Sequence, residues 1–158
     1  MWYSNGIMIS RMYPFWSFLV ALVLAQVMKP FIAKARGDKF SWKMALASGG
    51  FPSSHSASAT ALCFSVGILE HFDSTIFAVS LAFAVIVCYD AMNVRYYAGR
   101  NIYITRQLIR DLQEKDVIDM DDPVYEEKVK EVLGHKRSEV LGGCILGVLI
   151  AIVLYYIQ

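Results

Sequence analysis

Charge is nearly balanced in this 158-residue chain: 15 Lys and Arg stand against 14 Asp and Glu, leaving a net +1. That balance excludes a protein that holds polyanions by bulk charge, so nucleic acid is not an expected partner. Cysteine is scarce. Cys63, Cys88 and Cys144 lie inside apolar runs, no two show metal-ligand spacing, and an odd number argues against a disulfide framework. They read as small buried hydrophobes. The N-terminal stretch MWYSNGIMISRMYPFW has no basic segment followed by a small-residue cleavage site, and reads as mature chain. Repeats and low-complexity tracts are absent, and residues 1–158 are expected to form one domain.

Apolar residues, by contrast, are abundant. The hydrophobic fraction is 56% and mean hydropathy is +0.44, above the roughly 45–50% typical of soluble domains. Four runs predict membrane spans: Met12 to Ile32, Ser54 to Leu69, Ser74 to Asp90 and Val140 to Ile157. Trp16, Tyr89, Tyr155 and Tyr156 near their ends fit interfacial positions. The second run opens Ser-Ala-Ser-Ala-Thr-Ala after His55, and the fourth carries Gly143 and Gly147 one turn apart. Small faces of this kind let helix backbones approach closely, so these two helices should form the tight centre of the bundle. The expected fold is an all-α integral membrane helical bundle of about four transmembrane helices. A polar stretch, residues 100–133, is inserted before the last span. Ile104, Leu108, Ile109 and Leu112 recur there at helical spacing, as do Val129, Val132 and Leu133, which predicts two short amphipathic surface helices separated by Asp119 to Pro123.

The charge map adds orientation. Fourteen of the 15 basic residues fall at or between spans one and two, or three and four; only Arg11 lies elsewhere. The positive-inside rule makes that side cytoplasmic and puts both termini outside.

Three polar clusters fall on that same side. In GGFPSSH (residues 49–55), glycines free the backbone, Pro52 suits the first helical turn, Ser53 and Ser54 bring hydroxyls, and a helix N-terminus offers N–H groups to an anion. His55 stands beside it, able to give or take a proton. His135 and Glu139 are spaced i,i+4, which puts both on one helical face. The carboxylate can then hold one ring nitrogen and leave the other free to attack. Lys29, Arg36 and Arg95 supply positive charge. Phosphoryl transfer needs mainly positioning and charge stabilisation, so two His, an anion nest and several cations are a sufficient set.

At these residues the sequence resembles the type 2 phosphatidic acid phosphatase superfamily, which includes lipid phosphate phosphatases and vanadium haloperoxidases. Its pattern is K-x6-R-P, then P-S-G-H, then S-R-x5-H-x3-D. Lys29 and Arg36 match the first, with Gly37 in place of Pro; Pro52, Ser53 and His55 match the second, with Ser54 in place of Gly; Arg95, His135 and Glu139 match the third, with Val94 for Ser and Glu for Asp. The Arg-to-His interval is lengthened, as if the third motif were interrupted by an insertion. The strings GGxPSSHSA, YDAMxVRxxAG and LGHxxxEVxxG look like a divergent bacterial branch, and the resemblance runs from about Lys29 to Gly147.

The resemblance implies roles. His135 would be the nucleophile, Glu139 would orient it, and His55 would serve as acid and base. Lys29, Arg36, Ser53, Ser54 and Arg95 would hold the phosphoryl oxygens. No metal and no cofactor would be needed. The implied protein is a multi-pass enzyme of the cytoplasmic membrane that hydrolyses a lipid phosphate monoester, phosphatidylglycerophosphate or phosphatidate first, with the site on the cytoplasmic face. A prenyl phosphate or diphosphate is the alternative substrate, and a non-enzymatic lipid-binding or transport protein the alternative class. Its partners would be the bilayer and the lipid substrate; a homo-oligomer stays open.

Overall fold

The computed structural model describes residues 12–47, 49–115 and 135–157. Among them every regular element is helical. They are α1 (Tyr13–Ala35), a 3₁₀ turn (Trp42–Leu46), α2 (Ser54–Glu70), α3 (Thr75–Met92), α4 (Val94–Gln113) and α5 (Arg137–Ile157).

Local chemistry explains the boundaries. Pro14 sits in the first turn of α1, where its missing N–H costs nothing. Ser53 and Ser74 are the N-caps of α2 and α3, their hydroxyls accepting from the N–H groups of Ser56 and Phe77. Pro52 therefore precedes the cap of α2, joined to Phe51 by a cis peptide bond, and is not in the first turn as expected.

Among the described residues, three helices are long and apolar enough to cross a membrane: α1, α5 and the helical run that begins with α3 at Thr75. The fourth expected span, α2, has 17 residues, one fewer than α3, and runs the same height of the bundle. It is the enclosed helix, packed against α1, α3 and α5. The bundle is thus α1, α3 and α5 around a small-residue centre.

Among the described residues, the α2–α5 seam is the most extensive helix–helix contact. At Gly143 a Cβ would run into the Ser53 carbonyl oxygen and lie 3.1 Å from the Ala57 nitrogen. At Gly147 it would strike the Ala57 carbonyl oxygen and lie 2.9 Å from the Ala61 nitrogen. The two backbones touch only because no side chain stands between them, the physical basis of small-residue packing in lipid. The matched order of these contacts makes α2 and α5 parallel. Ala21, Ala25, Ala57, Ala61 and Ile150 continue the seam toward α1.

Tyr13 donates to the Ala151 carbonyl oxygen and its ring meets Tyr155, so α1 runs antiparallel to α5. Cys88 of α3 lies 3.7 Å from Cys144 of α5, sulfur to sulfur, a neighbourhood that chain spacing gave no sign of. The C-terminal ends of α1 and α3 and the N-terminal ends of α2 and α5 therefore share one end of the bundle. Trp16, Tyr89, Tyr155 and Tyr156 are all exposed.

The insertion differs in part from expectation. Its first helix is 20 residues long and starts at Val94, directly after α3, rather than near Arg100. Ile104 and Leu108 are exposed, whereas Ile109 and Leu112 are half-buried. The expected second helix, carrying Val129, Val132 and Leu133, lies outside the described residues.

Candidate active site

At the shared end, three backbone junctions bring the polar clusters together. The Ser53 N–H donates to the Glu139 carbonyl oxygen at 2.9 Å, joining the mouth of α2 to the first turn of α5. The His135 N–H donates to the Ala91 carbonyl oxygen at 3.2 Å, joining α5 to the end of α3. Below them, Gly143 lets α5 lie against the first turn of α2.

His135 is 1% exposed, and its Nδ1 lies 3.0 Å from Glu139 Oε2. The same oxygen accepts from the Lys136 N–H at 3.1 Å. Lys136 also accepts, through its carbonyl, from the Val140 N–H at the start of α5. Glu139 thus stands at the third helical position and reaches back to the capping residue's N–H, half of a capping box. The longer Glu side chain suits both tasks at this position, which gives the Glu-for-Asp departure a structural reason. A carboxylate at Nδ1 puts the ring proton there and leaves a lone pair on Nε2. Nε2 is buried and has no hydrogen-bond partner among the described residues.

The His55 ring lies 6.2 Å from the His135 ring, centroid to centroid, at an interplanar angle of 61°. Ser53, Ser54 and Ser56, its neighbours at the start of α2, are buried. The Ser53 hydroxyl is occupied by the cap: it accepts from the Ser56 N–H at 3.3 Å and lies 3.0 Å from Ser56 Oγ. Ser54 Oγ is buried and has no hydrogen-bond partner among the described residues.

Lys29 is 3% exposed, and its Nζ donates to the Ala47 carbonyl oxygen at 2.9 Å. Arg36 caps the C-terminus of α1, and its guanidinium lies 4.9 Å from the Phe51 ring centroid. The next residue, Gly37, has φ +93°, a left-handed conformation that stops the helix without strain. This is what Gly does at the position where the superfamily pattern has Pro. Lys29, Arg36 and Glu139 line one cavity of about 770 Å³. Arg95 lies in the first turn of α4, and its side chain is outside the described residues. Of the expected set, then, His135 touches Glu139, and His55 and the serines lie beside them. Lys29 and Arg36 face the adjoining cavity. Among the described residues, no three His, Cys, Asp or Glu side chains converge as metal ligands.

Sequence reading missed three contributors. The Lys136 N–H holds Glu139, and the Ala91 carbonyl holds the His135 backbone. Arg100 and Lys136 also line the cavities. The signal for Lys136 was its place beside His135; Arg100 lies five residues past Arg95 and gave no local hint.

Comparison with known proteins settles the lineage. The model of the Divergent PAP2 family matches residues 11–150. The chain belongs to that family. A curated relative, the uncharacterized membrane protein YuiD of Bacillus subtilis (strain 168), is 38% identical over 149 residues, covering 91% of this chain and 94% of its own length. No solved structure matches. Divergent PAP2 membership and the apolar helices make this a membrane protein related to the type 2 phosphatidic acid phosphatases.

Proposed function

We propose that this divergent PAP2 protein is a lipid phosphate phosphatase that works through a phosphohistidine, with phosphatidylglycerophosphate or phosphatidate as the first candidates for substrate. The observation that carries the reading is the His135 ring: Nδ1 is engaged by Glu139, while Nε2 is buried with no partner among the described residues. An uncompensated buried polar atom is costly, and a phosphoryl group would give it its partner.

The chemistry follows in two steps. His135 Nε2 attacks phosphorus, a P–N bond forms, the ester P–O bond breaks, and the leaving alkoxide takes a proton from His55. Water then attacks the phosphohistidine, His55 takes its proton, the P–N bond breaks and phosphate leaves. Glu139 holds the Nδ1 proton and stabilises the charge that develops on the ring. Lys29 and Arg36, with Arg95, neutralise the phosphoryl oxygens. No metal enters either step.

Phosphate release from a panel of lipid phosphates by purified protein tests the reading. His135→Ala should reduce turnover by about 10⁴-fold or more, the scale for losing a covalent nucleophile. It should also end trapping of label from a phosphorylated lipid. His55→Ala should cost about 10²–10⁴-fold and still form some intermediate with a good leaving group. Activity should survive EDTA, and vanadate should inhibit as a five-coordinate mimic. Full activity in His135→Ala ends the assignment.

The positive-inside bias supports a cytoplasmic site. Cysteines at Lys43 and Gln158, in a background free of the native three, test this with an impermeant thiol reagent on intact cells. Labelling at 158 with protection at 43 is expected; the reverse pattern overturns the orientation.

A further inference from the structure

We infer that Arg100 and Lys136 form a second anion subsite beside the scissile phosphoryl group, so that the preferred substrate carries another phosphoryl charge close to the one removed. This rests on the phosphatase reading and deepens it.

Two cavities open at the site end. The larger, about 770 Å³, lies among Lys29, Arg36, Phe51, Tyr103 and Glu139. The smaller, about 340 Å³, reaches His135 past Asn93 and Tyr97. Two residues line both: Arg100 from α4 and Lys136 from the entry to α5. They stand where the space beside the catalytic ring meets the space for the rest of the substrate.

Charge decides what fits there. Among the described residues, the walls of the two cavities carry five cations, Lys29, Arg36, Arg100, Lys136 and Arg137, against two carboxylates, Asp38 and Glu139. Glu139 is already engaged by His135 and the Lys136 N–H. A phosphate monoester brings a charge of about −1.5 to −2, which Lys29 and Arg36 match. The positive charge of Arg100 and Lys136 is then in excess. Among the described residues, neither makes a close ion pair, and the Lys136 charge is shared only at longer range with Glu139. A second phosphoryl adds about one more negative charge and brings acceptors for the Arg fork and the Lys ammonium. Much of the larger cavity beyond is apolar, with Ile32, Ala33, Met44 and Phe51 in its wall, as suits the remainder of an amphiphile.

The shared chemistry has two sources: the inner phosphoryl of a diphosphate monoester, or the phosphodiester of a glycerol-linked head group. Binding to the full-length protein in detergent separates the subsite from turnover. The probes are methylenediphosphonate, with two phosphoryl groups, and methylphosphonate, with one. Wild type should prefer the first by about tenfold, the scale of one added charge-assisted contact. The double variant Arg100→Gln with Lys136→Gln should bring that ratio to about one, and Arg100→Lys with Lys136→Arg should restore most of it. The Lys136 N–H that holds Glu139 is unchanged in all of these variants.

Substrate arms then identify the source. Prenyl diphosphate is compared with prenyl monophosphate, and phosphatidylglycerophosphate with phosphatidate. The pair whose kcat/KM ratio collapses in the double variant names the natural chemistry. A ratio that is equal in wild type and double variant overturns the subsite. Wild-type protein that releases no phosphate from any lipid defeats the phosphatase reading instead, while the binding ratio still decides the subsite.

Discussion

α2 and α3 are helices of nearly equal length, and they sit in opposite surroundings. α3 is the more apolar, yet only Ala84 and Ala91 of its 18 residues are buried; Val79, Val85 and Ile86 face outward. α2 is rich in Ser and Ala, and ten of its 17 residues are buried. A soluble protein would reverse this order. Here the solvent is hydrocarbon, so burying Val or Ile gains little and close packing of small residues decides which helix is central. Two buried hydroxyls of α2 are tolerable because they bond backwards along the helix: Ser58 Oγ to the His55 carbonyl oxygen at 3.1 Å, and Ser65 Oγ to that of Ala61. The functional consequence is that the polar mouth of α2 is held by rigid backbone contact on its α5 side, while α3 is exposed along most of its length.

The comparison predicts a graded series of substitutions. Gly143→Ala should have the largest effect. Its new methyl group meets the Ser53 backbone, which cannot swing away, and a displacement near 1 Å between reacting groups costs about 10²-fold in rate. Phosphate release and melting in detergent should both fall.

Ala57→Leu comes next. Ala57 has no exposed surface and lies between Gly143 and Gly147, so the larger side chain should overpack the seam by about 1–3 kcal/mol. A shift in thermal unfolding reads this directly, and no shift would show that the seam is looser than described.

Gly142→Ala should be milder. Its neighbour is the Phe51 ring, a side chain able to rotate. Because Arg36 lies over that ring, the expected loss is mainly in KM rather than kcat. An effect equal to that of Gly143→Ala would break the distinction between backbone and side-chain neighbours.

Val85→Leu should be the smallest, within about 0.5 kcal/mol, although it adds the same kind of apolar bulk as Ala57→Leu. A destabilisation comparable to Ala57→Leu would mean that α3 has a protein neighbour on its outer face.

Some of this was legible in the chain. Helix limits followed from apolar runs and Ser caps, and the four expected segments match α1, α2, α3 and α5 to within about three residues. The Gly143–Gly147 pairing with α2 was readable because small-residue spacing has one physical use in lipid. The i,i+4 pairing of His135 with Glu139 was readable because it needs only a local turn. Local rules did not extend to α2 as the enclosed helix, since length and hydropathy describe a segment and not its neighbours. The start of α4 was misjudged because charge marks solvent exposure, whereas the helix continues on backbone hydrogen bonds that charge does not interrupt.

The amino-acid order by itself determined the helices, their small-residue faces, the membrane setting and the His135–Glu139 pair. Each depends on residues within a few turns of one another, where geometry is set by helical period and composition. Only the tertiary structure decided that His55 meets His135 and that Ser53 is tied to Glu139. It also decided that Cys88 adjoins Cys144 and that Arg100 shares a cavity wall with Lys136. These are contacts between helix ends far apart in the chain, and their distances come from how closely α2, α3 and α5 pack, which no local pattern encodes.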